Sequence, residues 1–235
     1  MPIYKTWSYD YADKCECSDD DRCGCTYPNN MERSYTANYT SVPCNAGVHV
    51  GDTAPNFTAP AVFADNSFTD EFHFLDYIVD SYALLVFYHA DFSAVCPQEI
   101  TDFNQAYEEF AERGVKVVAV SIDSLAAHKA WRNLSFAEGG VGQVLFPLVS
   151  DVAKKASTLY GVLDDNGFAK RASFLIDRNF KIRYTAVYDA KIRRNMAETL
   201  RVVDALIELD KIECNGLDCW MRRAEKSFSG IYASQ

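Results

Sequence analysis

The sharpest change of pattern along the chain falls within residues 83–100. Residues 83–88 (Ala-Leu-Leu-Val-Phe-Tyr) form a continuous apolar run too short for a helix, which predicts a strand buried on both faces of a sheet. From Pro97 onward, Ile100, Phe103, Tyr107 and Phe110 recur every three or four residues with Glu108, Glu109 and Glu112 between them, the period of an amphipathic helix. Gly114 stops that helix, and residues 115–122 (Val-Lys-Val-Val-Ala-Val-Ser-Ile) read as a second buried strand. Strand, helix and strand in this order imply a right-handed parallel crossover. Asp123 and Ser124 end the second strand, and residues 126–133 read as another helix.

The flanking sequence completes an α/β pattern. Residues 57–63 suggest a short strand, 64–67 a hairpin connection and 75–79 a helical turn. Residues 146–151 form a short strand running into a helix from about 152 to 160, and residues 171–177 and 181–187 form a strand pair joined by 178–180. The last element, residues 196–209, places Leu200, Val203, Leu206 and Ile207 on one face, as expected of a helix covering a sheet. The order fits a thioredoxin-like fold, a central mixed sheet flanked by helices. Residues 1–49 have no sustained hydrophobic period and read as a Cys-rich N-terminal extension. Residues 50–209 then form the main domain, and 210–235 a C-terminal arm.

Composition narrows the partners. At 235 residues and 49% hydrophobic content the chain is long and apolar enough for one full core. A net charge of −10 argues against nucleic acid and against an anionic membrane surface. The small basic clusters at residues 191–194 and 221–223 read as a solvated face or a subunit contact. The N-terminus lacks the basic start and apolar stretch of a secretory signal, and no run reaches transmembrane length, so a cytoplasmic protein is the expectation.

Eight cysteines are unevenly spread. Cys15, Cys17, Cys23 and Cys25 form two Cys-x-Cys pairs, with Cys44 farther on. Four thiolates from two such pairs can hold a structural Zn²⁺ tetrahedrally, although disulfides and free thiols fit the same spacing. Cys96 is different, because it sits at a strand-to-helix junction just before Pro97. Unpaired N–H groups and the positive end of the helix dipole favour a thiolate there. The alternative for Cys96 is a buried cysteine acting as a small hydrophobe.

Several separated motifs carry a resemblance over residues 50–214. They include Gly51-Asp52-Thr53-Ala54-Pro55-Asn56-Phe57, Asp91-Phe92-Ser93-Ala94-Val95-Cys96-Pro97-Gln98-Glu99-Ile100, His128-Lys129-Ala130-Trp131, Tyr160-Gly161-Val162-Leu163, and Arg171 six residues before Asp177. In order and spacing they resemble the typical two-cysteine peroxiredoxins, thiol peroxidases that include the bacterial alkyl hydroperoxide reductase subunit. The resemblance implies a peroxidatic Cys96 that attacks a hydroperoxide and becomes a sulfenic acid. Arg171 would stabilise its thiolate and polarise the O–O bond, Ser93 would supply a hydroxyl in place of the usual Thr, and Glu99 would orient the arginine. It also implies a resolving cysteine from the partner subunit of an antiparallel homodimer, rings of such dimers, and a dithiol reductant such as thioredoxin. No cofactor is required.

The chain departs from that pattern in three places. His89 stands where the family has a proline that shields the cysteine, replacing a rigid φ with an imidazole expected to stay neutral or to modulate Cys96 rather than to replace it in catalysis. Lys154 stands where many relatives have another arginine and keeps the charge without the planar fork, so it is expected to support the acidic cluster less specifically than an arginine would. The resolving position offers Cys214, which matches by distance after the long helix, and Cys219, which matches by adjacency to Trp220; Cys214 is the better match. Gly139-Gly140-Val141-Gly142 resembles the Gly-Gly-Leu-Gly motif of forms prone to overoxidation, but the companion Tyr-Phe pair is absent, with Ser227-Phe228 at best a remnant.

Two other functions compete with the peroxidase. An oligomeric chaperone-like or scaffold protein with little turnover would share the fold. A thioredoxin-type disulfide reductase would need a second cysteine three residues after Cys96, where Glu99 stands.

Overall fold

The computed structural model of the chain describes residues 47–213. Seven strands form one mixed sheet: β1 (Thr58–Val62), β2 (Phe68–His73), β3 (Tyr82–Phe87), β4 (Val115–Ser121), β5 (Leu148–Ser150), β6 (Arg171–Ile176) and β7 (Ile182–Tyr188). Their spatial order is β2-β1-β5-β4-β3-β6-β7. β4 is parallel to both β3 and β5, while β6 runs antiparallel to β3 and to β7. The expected crossover from β3 to β4 is therefore present, carried by α2 (Cys96–Gln105) and α3 (Tyr107–Glu112). The single helix read from Pro97 onward is interrupted at Ala106, whose N–H still donates to the Asp102 carbonyl at 3.1 Å.

Alternation along β3 sends its side chains to two separate cores. Ala83, Leu85 and Phe87 face one cluster with Phe57, Phe74, Val118, Val120, Tyr160 and Phe174. Leu84, Val86 and Tyr88 face the other with Cys96, Ile100, Phe103, Trp131, Val203 and Leu206. Every residue of β3 and of β6 is buried; β3 is accordingly an unbroken apolar run, whereas β6 opens on the buried Arg171 before its small and apolar residues. In the first core Phe57 and Phe74 stack at 4.8 Å, while Tyr160 meets Phe174 edge-on at 5.0 Å.

Three helices differ in extent from the sequence reading. α1 (Phe74–Ile78) is the expected turn. α4 (Leu125–Asn133) begins one residue early because the Ser124 hydroxyl accepts the Ala127 N–H at 3.2 Å. α5 (Lys155–Leu159) is shorter than the expected 152–160, since Lys154 takes the left-handed conformation (φ 56°) and the Asp151 carboxylate accepts the N–H groups of Ala156 and Ser157. α6 (Met196–Glu213) runs past the apolar stripe that suggested an end at residue 209. Polar anchors hold the extra turn: Asp210 accepts a hydrogen bond from the Tyr82 hydroxyl at 2.6 Å and pairs with Arg183 at 3.3 Å.

The Gly-Gly-Val-Gly segment follows a one-turn 3-10 helix at Phe136–Glu138, capped reciprocally by Ser135 and Glu138. Gly140 packs directly against the Leu134 carbonyl, a close approach that any Cβ would block. No helix among the described residues is long and apolar enough to cross a membrane.

Phe174→Ala removes a ring that Phe87 and Tyr160 both meet edge-on. The expected cost is about 3–5 kcal/mol, seen as a lower urea midpoint with an unchanged m-value; a loss under ~1 kcal/mol would mean that the core collapses to fill the space.

Candidate active site

Cys96 is fully buried and opens α2, just beyond the carboxyl end of β3. The intervening loop is fixed from below. Asp91, itself buried, accepts a hydrogen bond from the Tyr88 hydroxyl at 2.8 Å and contacts His128 Nδ1 at 2.8 Å. The Asp91 N–H donates to Asp123 at 2.8 Å. Burial first, and then the Asp91 charge, hold the Tyr88 phenol well above its usual pKa, so it remains a donor. Phe92 adopts φ 56°, costly for a residue with a side chain, and its ring lies 6.1 Å from that of Trp131.

Four charged or ionisable groups converge at the start of α2. The Arg171 guanidinium, at the first residue of β6, places Nη1 and Nη2 3.8 and 3.9 Å from the Cys96 sulfur. Nη1 also donates to Glu99 in a short ion pair, and Nη2 donates to the Ala190 carbonyl at 2.9 Å. The buried Glu99 carboxylate accepts the Arg194 backbone N–H at 2.9 Å and pairs with the Arg194 guanidinium at 3.4 Å. Arg194 Nη2 in turn donates to the carbonyls of Phe87, in a short contact, and Ala172, at 2.9 Å. Two guanidinium groups thus face one carboxylate, leaving a buried excess of one positive charge that a thiolate at Cys96 would cancel. Burial, opposed chiefly by Glu99, pushes Arg194 down to about 10, which keeps it protonated at neutral pH.

Of the residues singled out by sequence, Cys96, Ser93, Glu99 and Arg171 meet. Ser93 Oγ accepts the Cys96 N–H at 3.4 Å, which bends its hydroxyl toward the first turn of α2. His89 borders a small adjoining cavity of about 60 Å³, whose other lining residues are Asp164, Ala169, Lys170, Arg171, Tyr188 and Ala190. Its imidazole stacks on Phe168 with ring centres 4.4 Å apart and planes 23° from parallel. Cys214, Cys219 and the N-terminal Cys15, Cys17, Cys23, Cys25 and Cys44 lie outside the described residues, as do residues 221–223 and Ser227-Phe228.

Two expectations are corrected. Lys154 does not join the acidic cluster: its ammonium lies against Gly167, where the left-handed backbone of Lys154 directs it. The second cation is Arg194, which is buried, whereas the 191–194 cluster is expected from sequence to be a solvated face or a subunit contact. Its neighbour Arg193 fits that reading, being half-exposed with Asp102 3.7 Å away. Nothing in a run of Lys-Ile-Arg-Arg tells the buried arginine from the exposed one; the only cue is proximity to the start of α6.

Glu99→Gln should leave the two guanidinium groups without the carboxylate they share and cost about 3–5 kcal/mol in urea denaturation. The double variant Glu99→Gln/Arg194→Met should recover part of that loss; strict additivity of the two changes would show that the groups do not act as a unit.

Comparison with known proteins identifies the family. The AhpC/TSA family model matches residues 50–185. Alkyl hydroperoxide reductase C of Buchnera aphidicola (subsp. Acyrthosiphon pisum, strain APS) is 44% identical over 160 residues, spanning 68% of this chain and 81% of its own. The chloroplastic 2-Cys peroxiredoxin BAS1 of Hordeum vulgare is 42% identical over 158 residues, 67% of this chain and 74% of its own. The crystal structure of the reduced 2-Cys peroxiredoxin of Plasmodium vivax superposes with a TM-score of 0.67 at 40% identity, covering 70% of this chain and 84% of that one. The chain therefore belongs to the AhpC/TSA family.

Proposed function

We propose that the protein is a thiol-dependent peroxidase, a peroxiredoxin that reduces hydrogen peroxide and organic hydroperoxides at Cys96. The observation that carries this reading is the Arg171 guanidinium, which reaches the Cys96 sulfur and the Glu99 carboxylate from the same nitrogen. A cation fixed in this way stabilises a thiolate and stands ready for the negative charge that develops on a breaking O–O bond. The thiolate attacks the terminal peroxide oxygen, forming an S–O bond as the O–O bond breaks. Sulfur loses two electrons and becomes a sulfenic acid, and the leaving oxygen takes up a proton to give water or an alcohol. Ser93, beside the sulfur, is assigned a hydrogen bond to the peroxide oxygens.

Cys214 of a partner subunit is assigned as the resolving thiol, condensing with the sulfenic acid to release water and form an intersubunit disulfide. α6 ends at Glu213, so Cys214 follows it directly. A dithiol protein of the thioredoxin kind then returns both cysteines to the reduced state. The cycle runs on sulfur alone and needs no metal, flavin or haem. A chaperone-like scaffold is disfavoured, since it gives no reason to bury two arginines around a single cysteine.

Arg171→Met should lower kcat/KM for hydrogen peroxide by about 10²–10³-fold in stopped-flow assays, while Cys96→Ser abolishes turnover. A full-rate Arg171→Met enzyme would remove the arginine from the mechanism. On non-reducing gels of peroxide-treated protein, Cys214→Ser should lose the covalent dimer and Cys219→Ser keep it; the reverse pattern would transfer the resolving role to Cys219.

A further inference from the structure

The cavity beside Arg171 has a construction that the peroxide chemistry alone does not call for. A tight turn shapes one wall. Asp164 accepts the N–H groups of Asn166 at 2.9 Å and Phe168 at 2.8 Å, its own N–H donates to the Phe168 carbonyl at 2.8 Å, and Leu163 bridges Ala169. That closed turn presents the Phe168 ring to the His89 imidazole, and the stack fixes the plane of a side chain that would otherwise rotate freely. The remaining lining is small or polar: Ala169 and Ala190, with Tyr188, Asp164 and Lys170 as the titratable groups facing His89 alongside Arg171. The volume of about 60 Å³ has room for about four or five water-sized groups.

We propose that His89 is a specificity-determining residue, held by Phe168 as a positioning residue, and that together they restrict the enzyme to hydroperoxides with short substituents. This rests on the peroxidase reading, because Arg171 is the group shared by the sulfur and the cavity. A hydroperoxide with its oxygens between the Cys96 sulfur and Arg171 has the adjoining cavity as the space for its substituent. A substituent of about four heavy atoms fills that space. A larger aromatic one must displace the His89 ring from its stack and also desolvate the polar wall without replacing its hydrogen bonds, and both effects act against it.

The test compares kcat/KM for tert-butyl hydroperoxide and cumene hydroperoxide in the full-length reduced enzyme, with hydrogen peroxide as reference. The native enzyme should prefer the tert-butyl compound by about tenfold or more, the discrimination that a misfit of a few methylenes produces. His89→Ala should shrink that ratio at least about fivefold by raising the cumene value relative to hydrogen peroxide. Phe168→Ala should move the ratio in the same direction, and Phe168→Tyr, which keeps the stack, should restore it. A ratio that stays within about twofold of the native value in both alanine variants would overturn the proposal. So would a native enzyme that already uses both compounds equally well. Should the native enzyme consume none of the three peroxides, it is the peroxidase reading that fails, an outcome separate from an unchanged ratio.

Discussion

The buried carboxylate of Glu99 is the constraint on which the site depends. It accepts hydrogen bonds from both arginines, and one of them, Arg194, also spends its guanidinium on the carbonyls where β3 and β6 end their pairing. Placing two guanidinium groups in an apolar core is costly without compensation. Here the compensation is a short circuit of charge and hydrogen bonds, in which Glu99 joins the first turn of α2 to β6 and to the segment before α6. The reactive sulfur is positioned by this circuit as well as by its own helix.

The sheet supplies the frame. β3 is buried on both faces, so its side chains alternate between two cores that leave it no freedom to slip: a shift of one residue would exchange Leu85 and Phe87 with Leu84 and Val86. Its carboxyl end is the usual place for chemistry in such sheets, where the backbone leaves the ladder and side chains from several loops converge. The loop from Tyr88 to Val95 exploits that end, but it is not loose. The buried contacts of Asp91 with Tyr88, His128 and Asp123 tie it to α4 and to the end of β4.

Much of this was legible in the chain. Residues 83–88 announced themselves by an unbroken apolar run and 115–122 by a Val-rich one interrupted at Lys116 and Ser121, and the helical period after Pro97 placed Cys96 at a helix start. Arg171 and Glu99 could be assigned only through resemblance, because nothing local in either residue reports burial. Arg194 was misread for the same reason: a basic run looks solvated, and only the tertiary structure shows that one of its members turns inward to Glu99. The last turn of α6 was missed because its anchors, Tyr82 and Arg183, come from distant strands and carry no apolar period. Lys154 was expected at the site from its alignment with arginine, but its left-handed backbone points it to another turn.

One feature of the topology bears on how such a chain can change. Cys96 and Arg171 are separated by 75 positions, yet they meet because β6 begins antiparallel to the place where β3 ends, with Phe87 opposite Ala172. The relation between sulfur and guanidinium is set by that ladder, so the connections lying between α4 and β6 can lengthen or shorten without altering it. The stretch from Phe87 to Cys96 has no such latitude: an insertion there moves the sulfur directly. Divergence in length should therefore accumulate in the first region and be excluded from the second, even though both are drawn largely as loops.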